Sequence, residues 1–265
     1  MPRRYRLGLP ALLITGVYLV ALAVAAVIAL TSGDLAALRR LTLFTETAKD
    51  TTAAWANVLL PVLVGMAWAW ALWQSLRGPL AGPPPELDRD ARRLRVALYA
   101  AAGSWLLYPL LPAWPWWAVV LDAVVMWVVV LLFHPVLGRS LEYADRARAA
   151  GVLAYGGIAV IEVLDVLDVS TPGAGLICGL AVLVWTVLVL RAQRRDSRWR
   201  PATVVYGIAA LVAPVGVALV GLLLAILENH ANDLTSAGDA LMVIWLARSA
   251  HDLADPRHQP SPAPS

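Results

Sequence analysis

One cysteine, one lysine and two phenylalanines stand among 265 residues. Cys178 alone cannot make a disulfide or a cysteine-based zinc or iron–sulfur site within one chain. Charge is scarce as well, at 15% Asp, Glu, Lys and Arg, where soluble domains carry about 25%. Catalytic signatures are missing: no Gly-rich phosphate loop, GxSxG elbow, HExxH or kinase motif occurs. Lys49, the only lysine, lies outside the apolar runs, so a retinal Schiff base is excluded. The acidic pairs of prenyl-transfer enzymes and the histidine-rich motifs of membrane phosphatases and desaturases are absent too. These gaps weigh against an enzyme and imply neither cofactor nor metal.

What is present is apolar. Hydrophobic residues make up 60% of the chain and the mean hydropathy is +0.70. Together with the low charge this excludes a soluble globular fold, a disordered chain and a coiled coil. Runs at 7–30, 53–76, 96–111, 116–137, 149–167, 174–190 and 203–227 approach or exceed the roughly 20 residues needed to cross a bilayer. An eighth, 234–250, is weaker because Asp239 and Arg248 bound its apolar stretch. The fold expected is an all-α polytopic bundle of eight spans, the alternative being seven plus a C-terminal surface helix. Residues 1–253 form one transmembrane domain in this reading, and 254–265 a disordered Pro/Ser-rich tail. The first run follows Arg3, Arg4 and Arg6 as a signal peptide does, but it is longer than the 7–15 apolar residues of such a leader and reads as an uncleaved helix.

Net charge is +3 and the pI 9.3, yet the arginines form no phosphate-binding stripe, so nucleic acid is not a partner. They mark alternate loops instead: Arg77, Arg89, Arg92, Arg93 and Arg95; then Arg139, Arg146 and Arg148; then Arg191, Arg194, Arg195, Arg198 and Arg200. The intervening loops are neutral, balanced or acidic. By the positive-inside rule the N-terminus and these loops are cytoplasmic, in a bacterial plasma membrane if the Arg-, Ala- and Pro-rich composition reflects a GC-rich genome. Leu35–Leu41 reads as a short amphipathic helix on the outer surface, and Trp68, Trp70 and Trp73 as an interfacial belt. Gly175 and Gly179 form a GxxxG pattern suited to helix contact, and Gly207, Pro214, Gly216 and Gly221 make the seventh run breakable. His134-Pro135 marks the end or kink of the fourth run.

Ionisable groups inside apolar runs are costly and are read as functional by default. Glu162, Asp165 and Asp168 follow one another at three-residue steps on one helix face, and Asp122 lies at similar depth on the preceding helix. Asp122, Glu162 and Asp165 are the candidates for binding substrate, proton or cation. Asp168, Glu228, His230, Asp233 and Asp239 are candidates for the outer mouth, although their spacing matches no metal motif. His251 and His258 read as part of the polar tail. The function expected is a proton- or cation-linked small-solute permease. The alternatives are a non-catalytic subunit or sensor, with lipid and a protein partner at the arginine loops, and a lipid-active enzyme. Orientation is testable in a Cys178→Ala background. A cysteine placed at Thr171 should react with an impermeant maleimide on intact cells, and one at Ser197 only after permeabilisation.

Overall fold

Backbone amides in hydrocarbon find no water to bond, so each apolar run must satisfy itself as helix. The computed structural model describes residues 5–42, 55–80, 86–107, 115–138, 143–223 and 231–255, and of 56, 214–223 and 231–237 it describes the backbone only. The helices are α1 Gly8–Ser32, α2 Ala36–Thr42, α3 Trp55–Leu76, α4 Arg89–Leu107, α5 Trp116–Leu137, α6 Ala144–Gly151, α7 Gly157–Val166, α8 Ala174–Arg195, α9 Pro201–Leu223 and α10 Ala231–Leu253. A π-turn, Val152–Gly156, joins α6 and α7 into one helix, Ala144–Val166. Each of the eight apolar runs is helical across nearly all of its described residues. Five of these helices are long and apolar enough to cross a membrane. They carry outward-facing apolar side chains such as Leu9, 76% exposed. The chain is a multi-pass helical membrane protein.

At the centre stands α10, the run with the weakest apolar signal. It packs against α3, α4 and α9, and its residues 238, 240 and 243–253 are all buried. Trp245 is fully buried beside Trp185 at 6.1 Å and Phe133 at 6.5 Å, with the Phe133 ring stacked parallel to it. Its indole N–H donates to Gln193 Oε1 at 3.0 Å, and Gln193 Nε2 donates on to Ser249 Oγ at 3.2 Å. The polar handle of a buried Trp is thereby satisfied. Trp68 also joins this core, against Ala240, Val243 and Ile244, whereas Trp70 is exposed as a belt residue would be.

The outer-surface placement of Leu35–Leu41 is corrected. Gly33, at φ 79°, ends α1 and turns the chain back, Asp34 Oδ1 accepts the Ala36 amide at 2.8 Å, and α2 descends between α1 and α3. Leu38 and Thr42 are fully buried, and a Cβ on Gly65 would meet Leu22 at 2.6 Å and Thr42 at 3.0 Å. Leu22 and Gly65 each lie ten residues from the end of their helices, Ser32 and Trp55 respectively, or roughly 15 Å at about 1.5 Å per residue. Tyr18 Oη donates at 2.9 Å to the Leu41 carbonyl, serving one of the acceptors that a helix end leaves open. The apolar face of α2 is buried in protein because Leu35 and Leu38 meet Leu22, Ala25, Ala29 and Val58.

Close approach is made by glycines other than the expected pair. Gly175 and Gly179 face open space, while a Cβ on Gly157 would meet Cys178 Sγ at 2.5 Å. The Cys178 thiol donates to the Leu153 carbonyl of the π-turn at 3.7 Å. The helix α9 runs unbroken through Pro214, and α5 continues past Pro135 to Leu137. A Cβ on Gly207 would strike Leu190 and lie 2.8 Å from the Trp245 ring. Gly207→Ala should therefore destabilise the protein by about 1–3 kcal/mol. Gly16→Ala, which meets nothing, should be neutral or stabilise by about 0.5–1 kcal/mol. Thermal unfolding in detergent checks the pair.

Candidate functional site

Helical spacing sets up the best-connected polar site. Arg248, His251, Asp252 and Asp255 recur at three and four residues, so they share one face at the end of α10. That face meets Gln74 on α3 and the start of α9, where Pro201 opens the helix and leaves the Arg200 amide without an intrahelical partner. Asp252 Oδ2 accepts that amide at 3.0 Å and the Thr203 hydroxyl at 2.5 Å. A carboxylate here also suits the positive end of the α9 dipole. Arg200 Nε lies 3.6 Å from Asp252 Oδ1, and its Nη2 donates to Asp255 Oδ2.

Arg248 is 8% exposed. Its Nη1 donates to Gln74 Oε1 at 3.0 Å, its Nε approaches Thr203 Oγ1 at 3.4 Å, and its guanidinium sits 5.4 Å from the Tyr206 ring centroid. Beside it Arg77, just beyond α3, donates to Tyr5 Oη at 2.9 Å and stacks over that ring. The N-terminal segment is held there by the Arg6 amide on Pro79 O and the Leu7 amide on Arg77 O, both at 3.2 Å. Burial lowers the Arg77 pKa from the ordinary guanidinium value; Tyr5 opposes this, and the like charges of Arg248 and Arg200 reinforce it. His251, against the Tyr99 ring at 5.6 Å, is buried with neither imidazole nitrogen in a well-formed hydrogen bond, although the Ser75 backbone lies close by. Ala254 and Asp255 are buried too.

The carboxylates picked out by sequence have a different setting. Asp122 is half-buried between α5 and α4, where the Ser104 hydroxyl donates to its Oδ1. Glu162 is half-buried and Asp165 and Asp168 are exposed. Asp168 takes the left-handed conformation at φ 56°, and the Val169 amide returns to Leu164 O at 2.9 Å. That geometry terminates α7, a role to which a short polar side chain is suited. Asp239 is exposed on α10, the side chain of Asp233 is not among those described, and Glu228 and His230 lie outside the described residues. No three His, Cys, Asp or Glu side chains come together to hold a metal ion among the described residues. His134 Nε2 lies 3.8 Å from Asp145 Oδ1, an exposed contact.

No protein-family model, curated protein or solved structure matches this chain. Family motifs therefore assign no role to the site, and its chemistry has to be argued from its own groups. It can cap a helix, hold guanidinium groups below the surface and offer N–H donors to an anion.

In residue order Arg248 merely bounds the eighth apolar stretch and His251 belongs to a polar tail, while Gln74, Thr203 and Asp252 do not stand out. The signal was the 248, 251, 252, 255 spacing, a polar stripe that follows the apolar turns 240–247 of the same helix. Asp252→Ala should cost about 3–5 kcal/mol, because it strands buried donors. The double substitution with Thr203→Val should cost less than the sum of the singles, since both remove one shared bond. Unfolding midpoints of the four proteins in the cycle measure this.

Proposed function

We propose that the protein is a plasma-membrane permease that moves a small solute together with a proton or cation. Its eight spans place the N-terminus and the arginine-bearing turns in the cytoplasm, in keeping with the positive-inside rule. The observation that carries the transport reading is α2, which folds back roughly 15 Å along α1 and α3 and ends beside Tyr18. A helix end at membrane depth is tolerated only where protein or a water-lined path serves its backbone. Interrupted and re-entrant helices recur along the substrate paths of transporters.

Asp122 is the carboxylate that takes the coupling ion, because it is the one of the three candidates held between two helices, with Ser104 as a partner that can follow its change of charge. Glu162 and Asp165, on the neighbouring α7, pass the ion from the outer surface, with Asp168 and Asp239 at the mouth. The buried aromatic layer of Phe133, Trp185 and Trp245 closes the bundle between this level and the arginine end.

Liposomes carrying the purified protein, adsorbed on a solid-supported membrane, provide the test. Jumps of pH or Na⁺, alone and with panels of amino acids, sugars and small carboxylates, should evoke currents. Asp122→Asn should reduce them at least tenfold at equal protein content, and Glu162→Gln or Asp165→Asn by less. Silence across these panels, with a second protein co-purifying through the Arg194, Arg195 and Arg198 segment, would replace the permease by a membrane subunit.

A further inference from the structure

The polar end of α10 contains more cation than its own carboxylates engage. A cavity of about 20 Å³, open at its mouth, lies between Tyr5, the turn after α3 and the last turn of α10. That is room for slightly more than one water. Arg77, Arg200, Arg248, His251, Asp252 and Asp255 line it. Both carboxylates are joined to Arg200, and neither Arg77 nor Arg248 has a carboxylate partner among the described residues. At its edge Arg77 Nε is buried without a partner, and the imidazole of His251, a side chain only 7% exposed, has no well-formed hydrogen bond beyond the Ser75 backbone that lies close to it.

Buried polar atoms are seldom left unsatisfied, and each one in a native protein asks for an explanation. Water could bridge some of these groups but would leave the excess of three guanidinium groups over two carboxylates uncompensated in a partly desolvated site. An anion meets both needs. Guanidinium presents a planar fork of N–H donors that matches the oxygens of a phosphate, and an imidazole N–H adds a third direction. Because the cavity is small and open on one side, one or two oxygens can be held inside while the rest of the group projects out.

We propose that this cleft binds a phosphate group, gripped by Arg77, Arg248 and His251. The same chemistry is offered by free phosphate in the aqueous phase and by the headgroup of an anionic phospholipid, for which basic pockets between helices are known receptors. The inference does not depend on the transport reading, and its test contains no transport step.

Full-length protein in neutral detergent is titrated with inorganic phosphate at constant ionic strength, with chloride as the balancing anion, and followed by thermal unfolding. In a parallel arm, protein from mixed micelles with phosphatidylglycerol or phosphatidylcholine is analysed by native mass spectrometry for a retained lipid. Stabilisation by phosphate, weakened at least tenfold in apparent affinity by Arg77→Gln and by His251→Gln, identifies the soluble anion. One retained phosphatidylglycerol, lost in the same variants and not replaced by phosphatidylcholine, identifies the headgroup. Should the variants not fold, the wild type still decides, because the chain has only four histidines. ¹⁵N-histidine spectra should show one imidazole moving on addition of phosphate or phosphatidylglycerol. The proposal is overturned if the wild type binds neither probe, if the variants bind as well as the wild type, or if no imidazole signal moves.

Discussion

A guanidinium within a helical membrane bundle has to be met by protein groups, because hydrocarbon supplies none. Arg248 imposes this condition on the whole α10 neighbourhood. Gln74 from α3, Thr203 and Tyr206 from α9 and the aliphatic packing of α10 itself close around it. The adjoining Asp252 caps α9, and Arg200 ties that cap to Asp255. Three segments distant in sequence are thereby drawn to one end of the bundle. Such a network adds little net stability compared with apolar packing, but it is costly to break once made, which gives it power to specify one arrangement.

Packing completes what the polar groups begin. The helix α9 can approach α8 and α10 closely only because Gly207 has no Cβ to strike Leu190 and Trp245. In the same way Gly65 leaves room for Leu22 and for the end of α2. Between the Asp122 level and the arginine end, Phe133, Trp185 and Trp245 form an aromatic layer in which the Trp245 indole N–H is taken up by Gln193. Two polar regions on either side of an apolar septum, with a re-entrant helix to one side, are the physical basis of the permease reading.

Much of this was legible from residue order. The helix at 116–137 coincides with its apolar run, and every other run lies within or across an observed helix, because apolar length alone forces helix in lipid. The short helix near 35–41 was legible too, from its Leu spacing. Its destination was not. An amphipathic face states that something apolar covers it, and Leu38 would be equally satisfied by lipid at a surface or by Leu22 and Val58 in a bundle. The candidate site divides in the same way. Asp122 stood out because it interrupts an apolar run, whereas His251 and Asp252 were hidden by proximity to a polar C-terminus. A hydropathy window reads such residues as loop, since it averages along the chain and is blind to neighbours from other helices.

Composition and the order of apolar and basic segments determined by themselves that this is a multi-pass helical protein and where its helices lie, and they are the whole basis of its expected orientation. These properties depend on one-dimensional quantities: the number of consecutive apolar residues and the side of each run on which arginine falls. Only the tertiary structure decided that the weakest run becomes the central helix, that α2 turns inward, and that Arg77, Arg248 and His251 share a cleft. Those outcomes depend on which faces meet, and pairing between helices is settled by side-chain shape and by the need to satisfy buried polar atoms, neither of which acts along the chain alone.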